Sequence, residues 1–136
     1  MAEISLVDYV RRGLRRRALA VKHNDLMPGI ADLSLHFPAA GRGGTRWVET
    51  KASVAWPARP GTRVWWPHYT EHQALFLRQR QGYLLARIGR EYLLFDGDAA
   101  WAQWEARGWP REMFRARAQA HWAGRINWLE FEREIL

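Results

Sequence analysis

Two short alternating segments on either side of a glycine-rich stretch restrict the fold of this chain more than any other feature. Leu33, Leu35 and Phe37 occupy every second position, with Ser34 and His36 between them and Asp32 just before. Successive side chains of a strand turn to opposite faces, so this pattern predicts a strand with one apolar face and with Asp32 and Ser34 on the other. Arg46-Trp47-Val48-Glu49-Thr50-Lys51 predicts a second strand. There Trp47, Glu49 and Lys51 share one face, and Val48 and Thr50 share the other. Residues 38–45 are rich in glycine and predict the turn of a hairpin. Such a hairpin brings Asp32 beside Glu49 and Lys51.

The periodicity changes on both sides of the hairpin. Residues 3–17 predict a helix whose apolar face is Leu6, Val7, Val10 and Leu14. Arg15-Arg16-Arg17 would close it, where cations suit the helix dipole. His23-Asn24-Asp25 reads as turn. Residues 70–81 predict a helix that stops at Gly82. Segments 83–88 and 91–95 predict strands around Gly89-Arg90, and 99–107, 110–123 and 128–135 predict helices. A chain of 136 residues fits one domain. The expected organisation is an α/β core over 1–97, with a helical extension over 98–136 packed on the same domain.

Twenty-one Lys and Arg against fourteen Asp and Glu give a net charge of +7. That excess suits a polyanion, although a basic but otherwise ordinary protein has the same balance. The absence of cysteine excludes disulfides and thiolate metal sites. No apolar run reaches membrane-spanning length, and the N-terminus has no signal-peptide core, so a cytoplasmic protein is expected.

The hairpin residues carry the chemistry. Two adjacent carboxylates repel unless a cation lies between them. Mg²⁺ accepts few protein ligands and keeps waters for a substrate phosphate. A lysine on the same face can orient a water or stabilise developing charge.

At Pro28-Gly29-Ile30-Ala31-Asp32 and Val48-Glu49-Thr50-Lys51 the chain resembles the PD-(D/E)xK nuclease superfamily, and within it the VRR-NUC and Holliday-junction-resolvase-like branch. Ala31 stands where that pattern has proline. The resemblance covers residues 3–95. It implies a restriction-endonuclease-like fold, with an α-β-β-β-α-β core around a mixed β-sheet. It also implies Mg²⁺ or Mn²⁺ as cofactor and phosphodiester hydrolysis as the reaction. Asp32, Glu49, Lys51 and Gln73 would be catalytic. Asp32 and Glu49 would bind metal, with a first-helix acid that is Glu3 ahead of Asp8. Homodimers are common in that branch. Gln73 equally fits a capping box with Thr70.

Several residues suit contact with nucleic acid: Lys22, Arg15, Arg16, Arg59, Arg63, Trp65, His68 and His72. The segment 53–69 interleaves Trp56, Trp65 and Trp66 with prolines and arginines. It either stacks on bases at a branch or folds its tryptophans onto the domain. His68 and His72 lie four residues apart and suit phosphate contact or helix packing better than zinc, which would lack a third ligand. The expected function is a metal-dependent DNA endonuclease acting on branched or structured DNA. The alternative is a non-catalytic nucleic-acid-binding or protein-interaction module.

Overall fold

The computed structural model describes residues 4–23, 29–38 and 43–136. In chain order its elements are α1 (Leu6–Gly13), β1 (Leu19–Lys22), β2 (Leu33–His36), β3 (Thr45–Ser53), α2 (Glu71–Gln79), β4 (Tyr83–Ile88), β5 (Glu91–Asp96), α3 (Gly97–Glu105), α4 (Arg111–Arg117), β6 (Ala120–Ala123) and α5 (Trp128–Ile135). The strands form one sheet in the order β1-β2-β3-β4-β5-β6. All neighbours pair antiparallel except β3 and β4, which run parallel with α2 as their crossover. The fold is therefore α/β, a mixed sheet flanked by helices. Its first six elements run α-β-β-β-α-β.

The expected hairpin forms, with Leu33 opposite Val48 and Ser34 opposite Trp47. One apolar layer lies between the sheet and helices α1 and α5. It holds Val10, Leu14, Leu33, Leu35, Val48, Leu85, Phe131 and Ile135. The other layer lies under α2, α3 and α4, with Ala74, Leu77, Leu84, Phe95 and Phe114 at its centre. Each helix turns one stripe of apolar residues to the sheet, and the core-facing residues of β2, Leu33 and Leu35, are fully covered.

Three elements differ from what the residue periodicity assigns. Helix α1 is shorter than predicted. Ser5 caps it, its last turn holds Arg11 and Arg12, and the Arg15–Arg17 run falls in the turn after it. The chain reverses there because the N–H groups of Arg17 and Ala18 both donate to the Leu14 carbonyl. Close packing also fixes the end of α1. A Cβ on Gly13 would lie 1.9 Å from the Trp128 ring, so only glycine lets α5 approach. Next, residues 19–22 form a strand, β1, on the edge of the sheet, where mostly exposed side chains leave no alternating apolar signal. Finally, the stretch after Gly97 is not wholly helical. Residues 120–123 form β6, which pairs with β5, and α5 packs in the same layer as α1.

Candidate active site

The site lies where the β2–β3 ladder ends. Leu33 and Val48 are the last paired residues, and from Val48 onward β3 pairs with β4 on its other edge. Beyond that point side chains replace the ladder bonds. The backbone N–H of Asp32 donates to Glu49 Oε1 at 3.0 Å. The backbone N–H of Thr50 donates to Asp32 Oδ2 at 3.0 Å, and the Thr50 hydroxyl donates to the same oxygen at 2.8 Å. Each carboxylate is thus held by the backbone of the opposite strand. The hairpin opens into a notch with both acids at its mouth.

Glu49 is 1% exposed. Among the described residues its Oε2 has no hydrogen-bond partner, and Lys51 Nζ lies 3.7 Å from it. Burial and then repulsion from Asp32 push its pKa from 4.5 up to about 8, against the opposing pull of Lys51. A buried carboxylate with an unpartnered oxygen beside a second carboxylate is a cluster short of positive charge. The residues present fit a divalent cation held by Asp32 and Glu49. Among the described residues no group of three or more His, Asp or Glu converges. Two carboxylates with waters suit Mg²⁺ or Mn²⁺ better than a closed zinc cage.

Lys51 reaches the site from the same face as Glu49. Its ammonium donates to Gln73 Oε1 at 3.2 Å and to the His68 carbonyl at 3.4 Å, and it lies 5.5 Å from the centre of the Tyr69 ring. Gln73 has two tasks. Its side-chain oxygen accepts the Thr70 N–H at 3.1 Å, its own N–H donates to the Thr70 hydroxyl at 3.3 Å, and the same side chain meets Lys51. The capping box and the contact with the lysine are therefore one structure.

The glycine of the Pro28-Gly29 lead-in has a physical reason. Gly29 takes φ +88°, and a Cβ there would lie 2.9 Å from the Cβ of His72. Its bare backbone lets the segment entering Asp32 pass against the first turn of α2. Asp32, Glu49, Lys51 and Gln73 come together as expected. Glu3 lies outside the described residues. Asp8, the other first-helix acid, is half-exposed and lies 3.7 Å from Arg11.

The expected nucleic-acid contacts divide. His68 and His72 are exposed beside the notch. Lys22 sits opposite Leu33, so it shares the α1 face of the sheet rather than the face of Glu49 and Lys51. Arg15 and Arg16 precede β1 at its Leu19 end, opposite His36 and far along β2 from Asp32. Arg59 is exposed, and Arg63 donates to the Ala106 carbonyl at 2.6 Å. The tryptophans mostly fold inward. Trp66 is buried and donates to the Ser53 hydroxyl, Trp56 donates to Glu91, and both rings pack edge-on against Phe114. Trp65 stays half-buried near Tyr69 and Arg107.

Two contributors had no signal in the sequence. Thr50 positions Asp32, although in a strand of alternating residues it reads only as part of the opposite face. Tyr69 underlies Lys51, with its hydroxyl donating to the Ala100 carbonyl at 2.6 Å. Burial and the Glu49 charge raise its pKa, so it stays neutral. No protein-family model matches the sequence, and no curated protein matches it.

Proposed function

We propose that this protein is a divalent-metal-dependent nuclease that hydrolyses phosphodiester bonds in DNA. The reading rests on one observation. A buried glutamate, Glu49, has an oxygen that is unpartnered among the described residues, beside Asp32 and 3.7 Å from Lys51. A structural ion pair has no need of the second carboxylate, and a solvated sheet face has no need of the burial. The resemblance of Asp32 and Glu49-Thr50-Lys51 to the PD-(D/E)xK pattern, the α-β-β-β-α-β order and the basic charge support the same reading.

Mg²⁺ or Mn²⁺, when bound, supplies a more acidic water and neutralises charge on the phosphate. The chain's own residues do the rest. Asp32 and Glu49 would hold the cation, and the bonds from Thr50 and from the Asp32 amide fix one oxygen of each carboxylate. Lys51 is kept near the carboxylates by Gln73 and the His68 carbonyl, where it orients the attacking water and stabilises charge on the phosphate. His68 and His72 at the rim suit phosphate contact.

Branched or structured DNA is the proposed substrate, and a homodimer the proposed assembly, both by the resemblance. A cleavage panel tests the reading, using linear, single-stranded, flap and four-way DNA with Mg²⁺, Mn²⁺ or EDTA. Cleavage should require metal and vanish in Asp32→Ala and Lys51→Ala. Salt-sensitive binding without cleavage under any metal would replace it with a non-catalytic nucleic-acid-binding role.

A further inference from the structure

Beyond the notch, the outer surface of α3 carries a run of alternating rings and guanidinium groups. Arg78 lies 5.5 Å from the Trp101 ring, and Trp101 lies 5.3 Å from Trp104 at an interplanar angle of 33°. Arg107 sits 4.3 Å from the Trp104 ring and 5.8 Å from the Trp65 ring. Trp65 lies 6.1 Å from Tyr69, whose ring underlies Lys51 at 5.5 Å. The contacts run from the candidate site to α3 through the ring of Tyr69, which is itself buried. Trp65, Trp101 and Trp104 are all half-buried and pack against the layer under α2, α3 and α4.

A second observation concerns Arg107. It takes φ +56° at the end of α3, a conformation that disfavours side chains with a Cβ. Gly108 follows directly and is also at positive φ. Helices usually place glycine at such a position. An arginine is kept there at some cost in backbone strain, and the result is a guanidinium between two indoles.

We propose that this surface binds a single-stranded arm of the DNA substrate, with bases stacking on Trp101, Trp104 and Trp65 and with Arg107 and Arg78 meeting the phosphates. Rings that accept any base, interleaved with cations that follow the backbone, are the means by which proteins bind single strands without sequence preference. Arg78 lies 3.9 Å from exposed Asp98, a weak contact that a phosphate can displace. Glu105 is the other acid on this helix face region and is exposed. The proposal rests on the nuclease reading, since it assigns the arm to that enzyme's substrate.

Binding of fluorescein-labelled oligo-dT, and of a duplex of equal length, is measured by anisotropy in EDTA, so that cleavage plays no part. Arg107→Gly relieves the backbone strain and should keep the fold, checked by its melting temperature. It should weaken oligo-dT binding about tenfold, as should Trp104→Ala, with Trp104→Phe restoring most of it. Duplex binding should change far less. Oligo-dT binding as tight as wild type in both Arg107→Gly and Trp104→Ala, or an equal loss on duplex, overturns the proposal. Cleavage of blunt duplex with Mn²⁺ by Arg107→Gly is the separate readout. Its presence upholds the nuclease reading whatever the binding result, and wild type that cleaves no member of the linear, single-stranded, flap and four-way panel with either metal removes that reading.

Discussion

Glu49 accepts the backbone N–H of Asp32 through one oxygen, while its other oxygen lies buried with no hydrogen-bond partner among the described residues. The same residue thus completes the hairpin and destabilises it. An unsatisfied carboxylate beside a second carboxylate weakens the folded state in the absence of a cation, and such local cost is common where a protein keeps a site ready for a ligand.

Removing either member of the charged set should abolish hydrolysis. Asp32→Asn and Lys51→Ala are each expected to lower kcat by about 10²–10³-fold or more, the usual effect of losing one preorganised charged contact to a transition state. Rates on a labelled DNA substrate with saturating Mn²⁺ provide the check. Near wild-type turnover in both variants would refute the assignment.

Thr50 should act by position. Thr50→Val loses the hydroxyl bond to Asp32 Oδ2 but keeps the backbone bond to the same oxygen. The expected result is weaker Mn²⁺ binding, read as a raised metal requirement for cleavage, with Thr50→Ser behaving as wild type. Equal metal requirements in Val and Ser variants would show that the hydroxyl does not position the aspartate.

Glu49 should also set a pH dependence. Its folded pKa is raised from 4.5 to about 8, so the protonated form is the one that suits the metal-free fold. The contribution to stability is full below about pH 4.5 and is lost as pH rises through 8. Glu49→Gln keeps a neutral group of the same shape. In EDTA the variant should melt several degrees above wild type at pH 9 and close to it at pH 5. Mg²⁺ should raise the wild-type melting temperature at pH 9 and leave the variant unmoved. Calorimetric scans at the two pH values decide it.

Gln73 can be separated into its two tasks. Thr70→Ala removes the cap and should cost about 1 kcal/mol of stability with little change in kcat. Gln73→Ala should cost a similar amount and also lower kcat, because it frees Lys51. Matching kinetics in the two variants would reduce Gln73 to a capping residue.

On the same face of the sheet, toward its β6 edge, Glu91 gathers Arg115, His121 and Trp56 around one carboxylate. Burial raises its pKa, but the bonds from Arg115 and Trp56, the Arg115 charge and the bond with His121 outweigh it and hold the pKa below the usual carboxylate range. The stabilisation is present above the ordinary carboxylate pKa and fades as pH falls through the lowered value. Glu91→Ala should cost roughly 1–3 kcal/mol. It should also shift Trp56 emission, since the indole loses its acceptor. Unchanged melting and emission would show that the 54–70 segment is anchored elsewhere.

The strands and helices with a one-sided apolar pattern were legible from the sequence. Leu33-Ser34-Leu35 and Trp47-Val48-Glu49 alternate because Leu33, Leu35 and Val48 face the apolar layer under α1 and α5 while polar residues lie on the other face, and residues 128–135 repeat at helical spacing because α5 covers the sheet with one side. The edge strands were not legible. In β1 both faces are largely open, and in β6 only Trp122 is buried, so neither carries a period to read. Helix α1 was drawn too long because the arginine run suits a helix end as well as it suits a turn.

By itself, the sequence determined which residues could form the site: strand periodicity alone put Glu49 and Lys51 on one face and the hairpin put Asp32 next to them. Only the tertiary structure decided their state. The burial of Glu49, its crossed bonds with Asp32, the hold of Thr50 on that aspartate and the place of Tyr69 beneath Lys51 all arise between elements distant in the chain. The same holds for the tryptophans, which are buried at Trp66 and half-buried at Trp56, Trp65, Trp101 and Trp104. Period records which side of an element a residue faces. Whether that side meets solvent, another charge or a packed ring depends on neighbours that local pattern does not encode.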